Sequence, residues 1–243
     1  MTAYRHCGIL RVHRVVILRP QAQDFVEGAC PMPPLRAETI AENGLVAIVR
    51  LDDLSAAVPL TEALLRGGVK SVEFTFTNPL AGRVIEEVRG ALAGRAAIGA
   101  GSVLDSETAR IAILSGAEFV VTPVLSVPVI ELCNRYGIPT VIGAFTPTEI
   151  LTAWQAGASY VKVFPSTVGG PQYLKDVRGP LPQVKLIPTG GVSLENAADF
   201  IRAGASAIAV GSNLVDAKTV NAGDWATLEE RARQFAAAVA GAR

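Results

Sequence analysis

An α/β fold of the (β/α)8 TIM-barrel type, in a single domain, is what the sequence predicts, and three observations carry it. From Leu45 onward short β-branched apolar runs alternate with helical stretches, eight of each. Glycines follow or end many of the helices, at Gly67-Gly68, Gly94, Gly116, Gly137, Gly157 and Gly204, where a left-handed cap wants no side chain. No GxGxxG marks the switch point of an open doubly wound sheet, the competing architecture.

Taken in order, the elements justify themselves. Arg36–Asn43 is a short amphipathic stretch placed to cover the barrel bottom. The strands read Leu45–Arg50, Ser71–Thr75, Ala97–Ala100, Phe119–Val121, Thr140–Ile142, Tyr160–Phe164, Lys185–Pro188 and Ala207–Val210. They are apolar runs of the kind that parallel strands need when both faces are buried. Between them helices are predicted near Leu54–Arg66, Leu80–Leu92, Ser106–Ser115, Val127–Tyr136, Pro147–Ala156, Pro171–Val177 and Leu194–Ala203, with Trp225–Ala240 closing the chain. Thr146-Pro147-Thr148-Glu149 has the form of a capping box, which gives Glu149 a structural role. Ser126 and Ser193 read as further N-caps.

Composition narrows the function. The chain has 243 residues, 50% hydrophobic and 18% charged, with 22 basic and 22 acidic side chains for a net charge of zero. That is enough for one sizeable core, and it recommends neither nucleic acid nor an anionic membrane as partner. No apolar run approaches the ~18 residues of a membrane span. Cys7, Cys30 and Cys133 form no metal-type spacing and read as a reducing, cytoplasmic setting.

Residues 1–35 differ from the rest. Arg5, Arg11, Arg14 and Arg19 precede the first acid, Asp24, and Pro31, Pro33 and Pro34 surround Met32. We expect a disordered or loosely docked extension, with Met32 the functional start; a transit peptide is the alternative. The barrel is expected to occupy residues 36–243. Both histidines, His6 and His13, lie in the extension, so the body has none. That removes Ser-His-Asp and Cys-His catalysis and the usual zinc sites, leaving acid–base work to carboxylates, lysines and tyrosines.

Within the sixth strand, Lys162 stands alone among apolar neighbours, Tyr160-Val161-Lys162-Val163-Phe164. A buried lysine loses its proton readily and becomes a nucleophilic amine, the requirement for an imine with a carbonyl substrate. A strand-end lysine reaching solvent or pairing with a carboxylate is the plainer alternative. Barrel sites lie at the carboxyl ends of the strands. Those ends carry Arg50, Glu73 with Thr75, Ser102, Pro123, Lys162 with Phe164, Thr189-Gly190-Gly191 and Gly211-Ser212. Glu73 and Lys162 turned into one mouth would form a carboxylate–amine pair for imine chemistry; alternatively Glu73 merely neutralises Lys162. Glycines after the last two strands let backbone amides approach a phosphate. We read Gly99-Ala100-Gly101 as close backbone packing with Ser102 facing the site.

Six ordered segments carry a family resemblance: Glu73-Phe74-Thr75-Phe76-Thr77, Gly99-Ala100-Gly101-Ser102-Val103, Gly143 through Glu149, Lys162-Val163-Phe164-Pro165, Pro188-Thr189-Gly190-Gly191-Val192 and Val210-Gly211-Ser212. Together they resemble the 2-keto-3-deoxy-6-phosphogluconate (KDPG) and 4-hydroxy-2-oxoglutarate aldolase family, over about Leu45 to Val215. The resemblance implies a class I aldolase that uses no metal and no cofactor beyond the covalent imine, and that assembles as a homotrimer. It implies Lys162 as the Schiff-base lysine, Glu73 as general acid/base, and Ser102 near the substrate carboxylate. Thr189, Gly190, Gly191 and Ser212 fall on its phosphate positions, and Pro123 and Phe164 would line its pocket. Two departures stand out. Thr77 occupies a position where many members carry an arginine, a cation that Arg50 would replace from the neighbouring strand. Thr122-Pro123-Val124 stands where Ser-Pro-Gly is common. The implied reaction cleaves KDPG to pyruvate and glyceraldehyde 3-phosphate. The galactonate analogue, 4-hydroxy-2-oxoglutarate and a non-catalytic sugar-phosphate-binding barrel are the alternatives.

Overall fold

The computed structural model describes residues 38–92 and 94–243. The elements run α1 (Glu38–Asn43), β1 (Leu45–Val49), α2 (Ala57–Arg66), β2 (Ser71–Thr75), α3 (Ala81–Leu92), β3 (Ala97–Gly101), α4 (Ser106–Leu114), β4 (Phe119–Val121) and α5 (Val127–Arg135). They continue with β5 (Thr140–Ala144), α6 (Pro147–Gln155), β6 (Tyr160–Val163), α7 (Gly170–Arg178), β7 (Leu186–Pro188), α8 (Ala197–Arg202), β8 (Ile208–Val210), α9 (Ala217–Asn221) and α10 (Trp225–Gly241). The expectation of an extension over residues 1–35 lies outside the described residues. Among the described residues, no helix is long and apolar enough to cross a membrane.

Among the described residues, eight strands, all parallel, form one sheet in the order β7-β6-β5-β4-β3-β2-β1-β8. Its two ends meet through one bridge, Thr189 with Ala209, and the Ser206 amide donates to the Leu186 carbonyl at 2.9 Å. The predicted (β/α)8 barrel is therefore the fold, joined most thinly between β7 and β8.

Strand alternation sorts the apolar residues into two shells. Val46, Ile48, Phe119, Val141, Tyr160 and Ile187 belong to an inner cluster that fills the barrel, and α1 adds Ile40 to it from below. The alternate residues, Ala47, Val72, Phe74, Val120, Val161 and Val163 among them, pack outward against the helices. Inner packing explains Gly99. A Cβ there would lie 2.4 Å from the Phe119 ring, which is fully buried. Overpacking of that kind costs about 1–3 kcal/mol.

Helix starts agree with the sequence where side-chain chemistry is local. Thr146 accepts from the Glu149 amide at 3.3 Å while the Glu149 carboxylate accepts from the Thr146 amide at 2.8 Å, closing the capping box of α6. Bonds to its carboxylate from the Thr146 amide, the Phe145 amide and the Thr146 hydroxyl hold the Glu149 carboxyl below its usual value. Ser126 sits at the start of α5 without a side-chain cap bond. The predicted start at Leu194, with Ser193 as cap, is corrected to Ala197. Asn196 is the reason: its Oδ1 accepts from the Ser193 amide and its Nδ2 donates to the Gly191 carbonyl, each at 2.9 Å, so residues 193–196 form a turn. The short α9, capped by Asp216 on Thr219, was not foreseen.

Candidate active site

Lys162 lies in β6 between Gly143 of β5 and Ile187 of β7, and is 3% exposed. One neighbour is apolar and the other has no side chain. Gly143 has no room for one, because a Cβ would lie 2.2 Å from the Pro123 carbonyl carbon. Thr122 pins that crossing: its hydroxyl accepts from the Gly143 amide at 3.0 Å and donates to the Val124 carbonyl at 2.6 Å. The Lys162 Nζ stands 5.1 Å from the centroid of the Phe164 ring.

Across the barrel, Glu73 lies in β2 between Ile48 and Gly99 and is 1% exposed. Its carboxylate fills the space left by Gly101, where a Cβ would lie 2.6 Å from Oε1. Among the described residues that Oε1 atom is buried without a hydrogen-bond partner, an arrangement that costs free energy unless a proton, water or substrate engages it.

The two groups shift each other. Burial lowers the Lys162 pKa; Glu73 opposes the change and Arg50 adds to it. Burial raises the Glu73 pKa, against the pull of Lys162 and Arg50. Both shifts favour the neutral forms, an amine that can attack and a carboxyl that can donate. Among the described residues, no direct ion pair joins Glu73 to Lys162, and Arg50 has no carboxylate partner.

Above Lys162 opens a cleft of about 230 Å³, lined by Arg50, Lys162, Phe164, Thr189, Gly190, Gly191, Gly211 and Ser212 among others. Eight of the residues singled out in the sequence thus meet in one place. Glu73 is outside the lining and is linked through charge to Lys162 and Arg50, which line it. Thr75, Ser102 and Pro123 are outside the cleft lining. Thr75 shares a hydrogen bond with Thr77 at 2.8 Å, and Ser102 follows β3 with a φ of 56°. Ile48, Val192, Asn213 and Val215 also line the cleft and were not anticipated. For Asn213, a polar residue directly after Gly211-Ser212 was the available signal.

The glycine turns are built for close approach. Gly190 and Gly191 have φ of 84° and 73°, in the left-handed region. A Cβ on Gly191 would lie 2.2 Å from Thr167 Cγ2. Among the described residues, no hydrogen bond occupies the amides of Gly191, Ser212 or Asn213. Neighbouring free amides at a concave turn make an anion site. No group of three or more His, Cys, Asp or Glu among the described residues could hold a metal ion.

With this geometry in place, the comparisons with known proteins are specific. A family model described as KDPG and KHG aldolase matches residues 37–231. The chain belongs to this aldolase family. It is 33% identical over 198 residues to the 2-dehydro-3-deoxy-phosphogluconate aldolase of Treponema pallidum, covering 81% of this chain and 94% of that one. It is 32% identical over 209 residues to the KHG/KDPG aldolase of Escherichia coli, covering 85% and 96%. Among solved structures, the KDPG aldolase from Legionella pneumophila with pyruvate captured as a covalent carbinolamine superposes with a TM-score of 0.77. That relative is 25% identical, and the match covers 84% of this chain and 98% of that one. As a KDPG/KHG-family aldolase, the enzyme is a carbon–carbon lyase of the metal-independent class, acting on a small molecule.

Proposed function

We propose that this aldolase cleaves KDPG to pyruvate and glyceraldehyde 3-phosphate through an imine on Lys162. The observation that carries the reading is the buried Lys162 amine in a cleft shared with Arg50, coupled through charge to the buried Glu73. In this reading the neutral amine attacks the keto carbon. Protonated Glu73 gives its proton to the carbinolamine hydroxyl, which leaves as water and yields the iminium ion. The Glu73 carboxylate then takes the C4 hydroxyl proton. The C3–C4 bond breaks, its electron pair flows to the imine nitrogen, and the aldehyde departs. Glu73 returns the proton to C3 of the enamine; water then adds to the iminium carbon, pyruvate and the free amine are released, and the proton set free returns to the Glu73 carboxylate. Because these transfers are sequential, one carboxylate serves them all. Arg50 would hold the substrate carboxylate, with Ser102, Thr75 and Pro123 around it. Thr189, Gly190, Gly191, Gly211 and Ser212 would take the far phosphate, whose binding energy positions the reacting bond. The free amides beside the paired glycine turns favour a phosphorylated substrate over 4-hydroxy-2-oxoglutarate.

Borohydride reduction in the presence of pyruvate tests the reading. A pyruvate-sized adduct that maps to Lys162 is the expected result. Absence of an adduct on folded protein overturns it in favour of a sugar-phosphate-binding barrel.

We also propose a homotrimer, in the cytoplasm. Leu104, Ile111 and Leu114 stand 61%, 55% and 69% exposed on and beside α4, an apolar face that association would cover. Light scattering should return the mass of three chains, and the mass of one chain overturns the assembly.

A further inference from the structure

The loop Thr189–Val192 is held from three sides by side chains of three different segments. Ser166, after β6, is 3% exposed; its hydroxyl donates to the Val163 carbonyl at 2.7 Å and accepts from the Thr189 amide at 3.0 Å. Asn196 donates to the Gly191 carbonyl at 2.9 Å, and Asn213, after β8, donates to the Val192 carbonyl at 2.7 Å. A trans peptide points its N–H opposite to its C=O. Drawing the Gly191 carbonyl toward Asn196 therefore turns the Val192 amide the other way, on a residue that lines the cleft.

Ser166 is not needed to satisfy the Thr189 amide, which already donates to the Val163 carbonyl at 3.0 Å. The Ser166 amide also donates to the Thr189 carbonyl at 2.8 Å, and the hydroxyl adds a side-chain tie to these two backbone bonds. Asn213 does the same from the opposite side, across the thinly joined β7–β8 seam. Gly190 and Gly191, with positive φ, would otherwise leave this loop conformationally free. Ordering its amides in advance removes a cost that binding would have to meet.

We propose that Ser166 and Asn213 are positioning residues that hold the Thr189–Val192 loop from its two sides and so set its affinity for a phosphate group. The proposal rests on the reading of this cleft as the phosphate site.

The test uses inorganic phosphate as a competitive inhibitor of pyruvate release, for the wild type, Ser166→Ala and Asn213→Ala. The inhibition constant is expected to rise roughly three- to tenfold in each variant, the worth of one hydrogen bond. KM should rise by more than kcat falls. Ser166→Ala leaves the Thr189 amide bonded to the Val163 carbonyl, whereas Asn213→Ala removes the donor to the Val192 carbonyl, so circular dichroism is recorded for both variants to verify the fold. Unchanged inhibition constants in both variants overturn the positioning role while leaving the phosphate site standing. A pyruvate-trapping rate that falls in parallel with phosphate affinity marks a general loosening of the site, and also overturns it. If phosphate fails to inhibit the wild type, the phosphate reading falls and this assignment with it.

Discussion

Replacing Lys162 by methionine is expected to reduce aldol cleavage by at least ~10⁴-fold and to abolish the trapped pyruvate adduct. Methionine keeps most of the lysine stem and brings no amine, so the slot between Gly143 and Ile187 stays filled. A lysine of ordinary pKa is neutral in only about one molecule in three thousand at pH 7. Each unit by which burial lowers the Lys162 pKa raises that fraction about tenfold. The initial trapping rate of the wild type should therefore climb with pH and level off below 10.5, the ordinary lysine value. Arg50→Met removes a cation that lowers the pKa, so levelling-off should move to higher pH. Rates of adduct formation by mass spectrometry, with circular dichroism to verify folding, check the wild type and both variants. Cleavage retained by Lys162→Met would sink the imine mechanism.

For Glu73→Gln the expected loss is about 10²–10⁴-fold in kcat, the usual worth of general acid–base help. The amide is nearly the same size and fits against Gly101, whose missing Cβ leaves the space. The amine remains, so the pyruvate adduct should still form, slowly, on Lys162. Deuterium exchange at the methyl group of pyruvate, followed by proton NMR, isolates the step. It requires the imine and then a base at C3, and should fall by the same factor. The pH profile carries a second sign. Glu73 raises the Lys162 pKa, so its loss should shift the trapping profile to lower pH even as the maximum drops. Exchange at the wild-type rate would remove Glu73 from the mechanism.

What was legible in the sequence was what short-range periodicity controls. Apolar runs marked the eight strands, glycines marked helix ends, and Thr146 with Glu149 announced a cap that the structure contains. Lys162 could be singled out because a lone amine in a two-sided apolar strand is costly wherever the strand lies. Asn196 shows the limit. Its side chain serves the Gly191 carbonyl rather than the start of a helix, and α8 begins later than its sequence suggests.

Neighbours across strands were not legible, since they depend on register and closure rather than on spacing along the chain. Pairing of Glu73 with Gly99, beside the gap at Gly101, gives the carboxylate its space. Pairing of Lys162 with Gly143 and Ile187 gives it no polar partner at its own register on the adjoining strands. The meeting of Thr189 with Ala209 brings Arg50, which follows β1, to the same cleft as the glycine turns and Asn213. The sequence by itself determined that a barrel forms and that one strand carries a buried amine, because side-chain alternation and burial are local consequences of residue type. Only the tertiary structure decided which groups surround that amine and set its charge, because desolvation and Coulomb interactions depend on distances across the barrel.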